Sequence, residues 1–518
     1  MSIPAAALTG DASTVTPAVE AALPAAAGRE SARGRILAAA ACSALVAVPF
    51  LVVRFPPVTD LPQHVAQIRL FLEALADPGG AYRIQWFTPY SAAYALLGAA
   101  WALAPPADAG RYAVLALGVL WTLAVHALAA RRQRSVAAAV LASVLFFNHT
   151  LYWGFLSFAV GWLAFVVWLL ITTRAPDQGS SAKESVQYCA VAALLYVSHV
   201  LWLAAAVLWL LVVSVLHRIP VAMTARRLIS IAPVLIAVAI WYPHLAASGF
   251  RSETVWAVVP TARLSCGWLA RSVLGGLRGP GESLFLLIAA AWAAAGLWQN
   301  RAALTARLDW DLLAAALLLF VLALLLPDKY TNTIQFAARW MPAAAILFVL
   351  AVPAPITVER LQPALAFAAA AVFCLATAIA WQRFERDELS GLPDVLAALP
   401  DGQRVLGLDF VKDSAVIEER PFLQTFAWAQ VVHGGTLNFS FAGFAPSLVV
   451  FRDRHQRPWT GGLEWFPEWV RASDFRYFDY AIVNGSDPQH RQLAAQTDLL
   501  PQTDQGRWRL YRIPPAAR

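Results

Sequence analysis

Long apolar runs separated by short polar turns recur from residue 36 to residue 381. They lie at 36–53, 89–104, 111–130, 135–148, 154–173, 186–198, 200–216, 228–245, 282–298, 309–326, 339–357 and 363–381. Each reads as an apolar helix, though several fall short of the roughly 20 residues that a full bilayer crossing takes. Arginines mark alternate turns: Arg29, Arg33 and Arg35 before the first run, then Arg131/Arg132/Arg134, Arg174, Arg218, Arg226/Arg227, Arg301/Arg307 and Arg360. Cytoplasmic loops are enriched in such residues, so the N-terminus is expected inside and the turns at 148–153, 198–200, 246–281 and 327–338 outside. The same rule puts everything after 382 outside. Twelve crossings would return the chain to its starting side, so one run is split, merged or re-entrant. The pair 89–104 and 111–130 is where that exception is expected, and 11–13 spans are expected in all.

A different pattern follows the first run. From Pro62 to Ala76 the apolar residues Val65, Ile68, Leu72 and Leu75 recur at helical spacing, with Gln67, Arg69 and Glu73 elsewhere on the wheel. This predicts an amphipathic helix lying on the membrane within a first external loop, 54–88. Asp77-Pro78-Gly79-Gly80 ends it, and Tyr82, Trp86 and Tyr90 read as interface anchors. Residues 1–30 are Ala/Pro-rich and are expected to form a disordered cytoplasmic tail, leaving 31–384 as the transmembrane domain. Beyond Trp381 charge and turn residues become dense. Short β-type runs at 404–410, 448–451, 480–483 and 508–513, with helical patches near 393–399, 466–472 and 488–496, predict a small α/β domain over 385–518. It carries no dinucleotide, P-loop or nucleophile-elbow motif, so a binding or lid role is expected of it.

Composition agrees. The 518 residues are 59% hydrophobic and 14% charged, against about 25% charged in soluble domains. The fold class expected is a polytopic α-helical membrane protein. The net charge of +7 is largely Arg in short loops; no basic polar domain exists for nucleic acid. Cys42, Cys189, Cys266 and Cys374 are scattered without metal-ligand spacing or a disulfide framework.

The candidate chemistry begins where the first span ends, in Phe55-Pro56-Pro57-Val58-Thr59-Asp60-Leu61-Pro62-Gln63-His64. An acid at the mouth of a membrane cavity marks function, because burying it there is costly; equally, Asp60 stands where a carboxylate caps a helix. Three further polar sites share its expected side: the turn Phe147-Asn148-His149-Thr150-Leu151-Tyr152-Trp153-Gly154-Phe155; Ser198-His199 within an apolar stretch; and Pro327-Asp328-Lys329-Tyr330 followed by Gln335 and Arg339. Arg251, Arg263, Arg271 and Arg278 in the 246–281 loop are candidates for holding phosphate or lipid head groups. One acid, several imidazoles and cations around one membrane surface suit a lipid-phosphate sugar donor. Its phosphate needs cationic clamps, and the acceptor hydroxyl needs a carboxylate base.

This layout resembles the GT-C superfamily of membrane glycosyltransferases, which includes the protein mannosyltransferase and aminoarabinose transferase families. The matching features are Asp60 just after span one, the interfacial helix behind it, the external domain from about 385, and the Asp60–His64 and Trp153-Gly154-Phe155 motifs. The resemblance implies an inverting enzyme of the bacterial inner membrane. It would use a polyprenyl-phosphate-linked sugar donor and an extracytoplasmic glycan, lipid or protein acceptor. Asp60 would be general base with His64 assisting, Arg339 and Lys329 would hold the donor phosphate, and His199, Asn148 and Trp153 would line the cavity. Many members pair Asp with Glu in this loop, whereas Leu61 follows Asp60 here; no essential metal and no cofactor are expected. The alternatives are a lipid-linked glycan transporter or flippase and a non-catalytic envelope assembly protein. Convergence of Asp60, Arg339 and His199 on one cavity discriminates between them.

Overall fold

The computed structural model describes residues 31–173, 182–246, 253–331, 333–357, 361–453, 457–496 and 498–514; the 1–30 tail, Arg174, Arg251 and Arg360 lie outside these. The chain begins with α1 (Ala32–Leu51), capped by Ser31, whose hydroxyl accepts the Gly34 N–H at 3.0 Å. There follow α2 (Leu61–Ala76), strand β1 (Tyr82–Ile84), α3 (Ser91–Leu103), α4 (Pro106–Arg131), α5 (Val136–Val144), α6 (His149–Trp153), α7 (Leu156–Thr172), α8 (Ala182–Ser198), α9 (Val200–Leu216) and α10 (Val221–Ala246). Strand β2 (Thr254–Val255), α11 (Cys266–Val273), α12 (Gly281–Gln299), α13 (Leu304–Arg307), α14 (Trp310–Leu325), β3 (Lys329–Tyr330), α15 (Met341–Ala351) and α16 (Gln362–Arg383) complete the helical part. Six described helical segments are long and apolar enough to cross a membrane by themselves, or seven if the bent pair α13–α14 counts as one. The protein is an integral membrane protein.

Paired helix ends settle the expected conflict. At one end of the bundle, Arg132 closing α4 binds Asp309 at 2.6 Å and Asp311 at 2.7 Å at the start of α14, and His217 closing α9 meets Asp311 at 2.7 Å. Arg35 of α1 donates to the Arg134 carbonyl at 2.8 Å, and Arg134 donates to the carbonyls of Leu350 and Ala351 at the end of α15. Glu184 of α8 pairs with Arg226 and Arg227 of α10 at the same end. At the other end, Arg54 after α1 and Arg111 of α4 share Asp108, and Arg111 donates to the Val53 carbonyl.

Helix α3 has both of its termini at this second end. Tyr90 before it packs edge-on against His199, and only Ala104 and Pro105 separate Leu103 from α4. The 89–104 run is therefore a helix that does not cross. Among the described residues, the twelve expected runs less α3 leave eleven passages, with α5 and α6 together making one of them. An odd number puts the two termini of the bundle at opposite ends.

The C-terminal region forms α17 (Leu392–Ala398), β4 (Arg404–Asp409), α18 (Trp428–His433), β5 (Thr436–Leu437), β6 (Val449–Phe451), α19 (Ala472–Phe475), β7 (Tyr480–Asn484), α20 (Asp487–Gln496), β8 (Leu500–Pro501) and β9 (Trp508–Arg512). Five strands build a mixed sheet in the order β5-β4-β7-β9-β8, with β4 parallel to β5 and β7, and β9 antiparallel to its neighbours. The run expected at 448–451 is not in this sheet. As β6 it pairs antiparallel with β1 of the first loop, Tyr82 opposite Phe451.

That pairing belongs to a broad seam. Gln63 of α2, fully buried, donates to the Gln424 side chain at 3.1 Å and the Phe439 carbonyl at 3.2 Å, and accepts the Phe441 N–H at 3.0 Å. Gln67 accepts the Val449 N–H at 2.8 Å, and Glu385 accepts both the Arg54 and Phe55 N–H at 2.7 Å. A buried amide deprived of its partner costs about 1–3 kcal/mol, so α2 is built to be covered by the C-terminal domain. The helix expected to lie against the membrane instead holds its two inner glutamines against protein.

A cysteine placed at Ala104 should react with a membrane-impermeant maleimide from the same side as one at Ala81, in a chain whose exposed Cys266 is replaced by serine. Labelling of the two from opposite sides would restore a crossing α3.

Candidate functional site

The two motifs singled out in the first loop and in the 147–155 turn touch. The Asp60 N–H donates to the Trp153 carbonyl at 3.1 Å, and the Thr59 N–H donates to the Tyr152 carbonyl at 2.8 Å. Gly154 makes the approach possible. It ends α6 with φ +85°, and a Cβ there would sit 2.7 Å from the Asp60 nitrogen. Asp60 precedes α2, its own carbonyl accepting the His64 N–H at 3.0 Å, but its carboxylate makes no capping bond. The capping role is absent, and the carboxylate faces a cavity.

That cavity has a volume of about 420 Å³. Its membrane-domain wall includes Asp60, His64, Tyr90, Tyr94, Trp153, Phe155, His199 and Arg339; its other wall, from the C-terminal domain, includes Gln424, Phe439, Phe441, Phe444, Glu464 and Trp465. Arg339 is 6% exposed. Its guanidinium stands 3.6 Å over the Phe155 ring and donates to the Ile334 carbonyl through Nε (3.0 Å) and one Nη (2.8 Å). No carboxylate comes within ion-pair distance among the described residues, although Asp60 and Arg339 feel each other's charge. Burial pushes the Asp60 carboxyl up to about 7, with Arg339 pulling in the opposite direction. His64 Nδ1 is 3.1 Å from the Tyr94 hydroxyl, and burial lowers the imidazole to about 4, so it is neutral at pH 7. His199 caps α9, its Nδ1 accepting the Leu201 N–H at 3.2 Å, and also lines the cavity between Tyr90 and Phe158.

Two expected site residues do not reach the cavity. Asn148 is the cap of α6: its oxygen accepts the Thr150 N–H at 2.9 Å, and its amide donates to the Leu145 carbonyl at 2.7 Å. This buried turn uses both ends of the side chain and leaves nothing for a ligand. Lys329 sits on β3, which pairs antiparallel with β2, and its ammonium is paired with Glu253. Arg263, a candidate for phosphate, is fully buried and donates to the carbonyls of Ala323 (2.9 Å) and Leu324 (3.1 Å) and to Asp328 (3.0 Å). It closes the end of α14. Tyr82 is buried against Phe451 rather than anchored at an interface, and Tyr90 lines the cavity. Tyr94, Gln424, Glu464 and Trp465 escaped the sequence reading; only proximity in the fold marks them. No three His, Cys, Asp or Glu side chains stand together as a metal-ligand set among the described residues.

The fold is similar to that of two crystal structures of ArnT from Cupriavidus metallidurans, one in the apo state and one bound to undecaprenyl phosphate. They superpose with TM-scores of 0.53 and 0.51, each at 12% identity, covering 94% of this chain and 99% of theirs. The chain has the ArnT fold. The architecture expected from the GT-C resemblance is the one found. No family model matches the chain, and no curated protein matches it by sequence. The ArnT likeness spans the bundle and the C-terminal sheet together, so the two halves of the cavity belong to one fold.

Replacing Gly154 with alanine should lower stability by about 1–3 kcal/mol, because a side chain strains the left-handed backbone and displaces Asp60. Thermal unfolding of the purified chain measures it, and an unchanged midpoint would show that the Asp60–Gly154 contact is dispensable.

Proposed function

We propose that the protein is a membrane glycosyltransferase of GT-C type. It moves a sugar from a polyprenyl-phosphate-linked donor to an extracytoplasmic acceptor. The observation that carries this reading is one cavity holding an unpaired carboxylate, Asp60, beside a buried arginine, Arg339, that has no ion-pair partner among the described residues. A buried cation without a carboxylate is stabilised by an incoming anion. The ArnT fold adds support, since one ArnT structure holds undecaprenyl phosphate. The arginine-rich end of the bundle, with Arg35, Arg132, Arg134, Arg226 and Arg227, faces the cytoplasm, and the cavity opens on the other side.

In the reaction, the acceptor hydroxyl oxygen attacks the anomeric carbon while the bond from that carbon to the phosphate oxygen breaks. The hydroxyl proton passes to the Asp60 carboxylate, and the phosphate oxygen keeps the bonding pair. Arg339 holds the charge that grows on the leaving lipid phosphate; its fork can turn from the Ile334 carbonyl toward phosphate oxygens. A single displacement inverts the anomeric centre. Neutral His64, oriented by Tyr94, keeps a second cation out of the acid–base pair, and His199 and Trp153 shape the donor side.

Asp60→Asn should cut turnover roughly a hundred- to ten-thousandfold while leaving undecaprenyl phosphate binding intact; full activity in this variant would end the reading. The base must be ionised, and its carboxyl sits at about 7. Turnover should therefore rise with pH through about 7 and level off above it, falling about tenfold per unit on the acid side. A flat profile from pH 5 to 8 would remove Asp60 as base. Arg339→Lys should weaken undecaprenyl phosphate binding despite the conserved charge, because a point ammonium lacks the bidentate fork; calorimetric titration of the variant against the parent chain reads this.

A further inference from the structure

The C-terminal wall of the cavity carries its own polar chemistry. Glu464 is the acidic residue that this wall brings to the cavity, with Trp465 next to it and the rings of Phe439, Phe441 and Phe444 packed together beside them. Its carboxylate takes a hydrogen bond from its own backbone N–H and makes no ion pair among the described residues, although the charge of Arg457 is felt there. Burial raises its pKa, with Arg457 opposing. Arg457 is engaged elsewhere, donating to the Asn438 carbonyl at 2.9 Å. A half-buried acid left unpaired on a cavity wall is poised for ligand donors, and a carboxylate accepts hydroxyl hydrogen bonds at both oxygens. An indole face beside it offers apolar area to the C–H face of a sugar ring.

The two walls therefore differ in kind. The membrane-domain wall carries the cation that suits a phosphate, and the C-terminal wall carries an acid that would repel one. We propose that Glu464 and Trp465 form the acceptor subsite, and that the acceptor is a carbohydrate. Glu464 would accept hydrogen bonds from two of its hydroxyls while a third is presented to Asp60. This rests on the glycosyltransferase reading and adds the class of acceptor to it. In the step itself the presented hydroxyl gains a bond from its oxygen to the donor's anomeric carbon, loses its proton to Asp60, and the donor's phosphate leaves with the electron pair. Glu464 exchanges no proton; it is a positioning residue.

The test uses the purified full chain in nanodiscs and two probes. Methyl α-mannopyranoside and methyl β-glucopyranoside report the acceptor side by saturation-transfer NMR, and undecaprenyl phosphate reports the donor side by thermal shift. The wild-type chain should bind at least one of the glycosides. Glu464→Gln should weaken that binding about tenfold or more, the worth of a charge-assisted hydrogen bond, and Trp465→Ala should do likewise, while both keep the undecaprenyl phosphate shift of the parent. Absence of glycoside binding in the wild-type chain, or binding unchanged in both variants, overturns the proposal. Loss of the undecaprenyl phosphate response in the wild-type chain instead overturns the glycosyltransferase reading, and the two failures are read from different probes.

Discussion

Everything at the candidate site hangs on the contact between the Asp60 backbone and the Trp153–Gly154 turn. Two N–H groups of the first loop, Thr59 and Asp60, end on the carbonyls of Tyr152 and Trp153, the last two residues of α6. The loop leaves the first span under the stiffness of Pro56, Pro57 and Pro62, and its position would otherwise be set only at its ends. A glycine with positive φ lets the two backbones meet at a distance no side chain would permit. Because the contact is made by backbone, it fixes Asp60 without using its carboxylate. The same turn continues into Phe155, whose ring carries Arg339. Acid and cation are thus positioned by the two neighbours of one glycine.

The C-terminal domain is the second half of this arrangement. Part 385–518 reads as a self-standing α/β domain by its strands, and its five-stranded sheet is one. Its remaining segments are spent on the membrane domain. The 424–449 stretch satisfies Gln63 and gives the Gln67 side-chain carbonyl the Val449 N–H, β6 extends β1, and Glu385 caps the loop that leads to Asp60. A lid hinged at one point would leave those buried amides unsatisfied each time it opened. The domain is better described as a fixed roof over the cavity.

Much of this was legible in the chain. Apolar runs marked the helices, because a bilayer-spanning backbone has no other way to satisfy its hydrogen bonds. The charge pattern also showed that twelve crossings conflict with termini on opposite sides, leaving one run to be split, merged or re-entrant, and α3 is that run. What periodicity cannot distinguish is a short apolar helix that crosses from one that packs against the bundle with both termini at one end; only its partners do. Polar residues in apolar surroundings led to Asp60, His64, Trp153, His199 and Arg339, which line the cavity, and equally to Asn148 and Lys329, which do not. The criterion selects any polar group that resists lipid, and Asn148 is present to solve the backbone's own problem at a helix start. Gln424 and Glu464 lay beyond reach. Gln424 meets Gln63 across 361 positions, and no local pattern carries such a contact.

The charge arrangement explains why the site rests open. Had Asp60 and Arg339 closed into an ion pair, the pair would stabilise itself, and a phosphate would have to break it before binding. Instead Arg339 is held by a backbone carbonyl and a ring face, partners that neutralise little of its charge. Asp60, close enough to feel that charge but outside pairing distance, stays near the balance point between its two protonation states. The same guanidinium thus acts on both groups: it stands ready for an anion, and its charge opposes the burial that would otherwise hold Asp60 protonated.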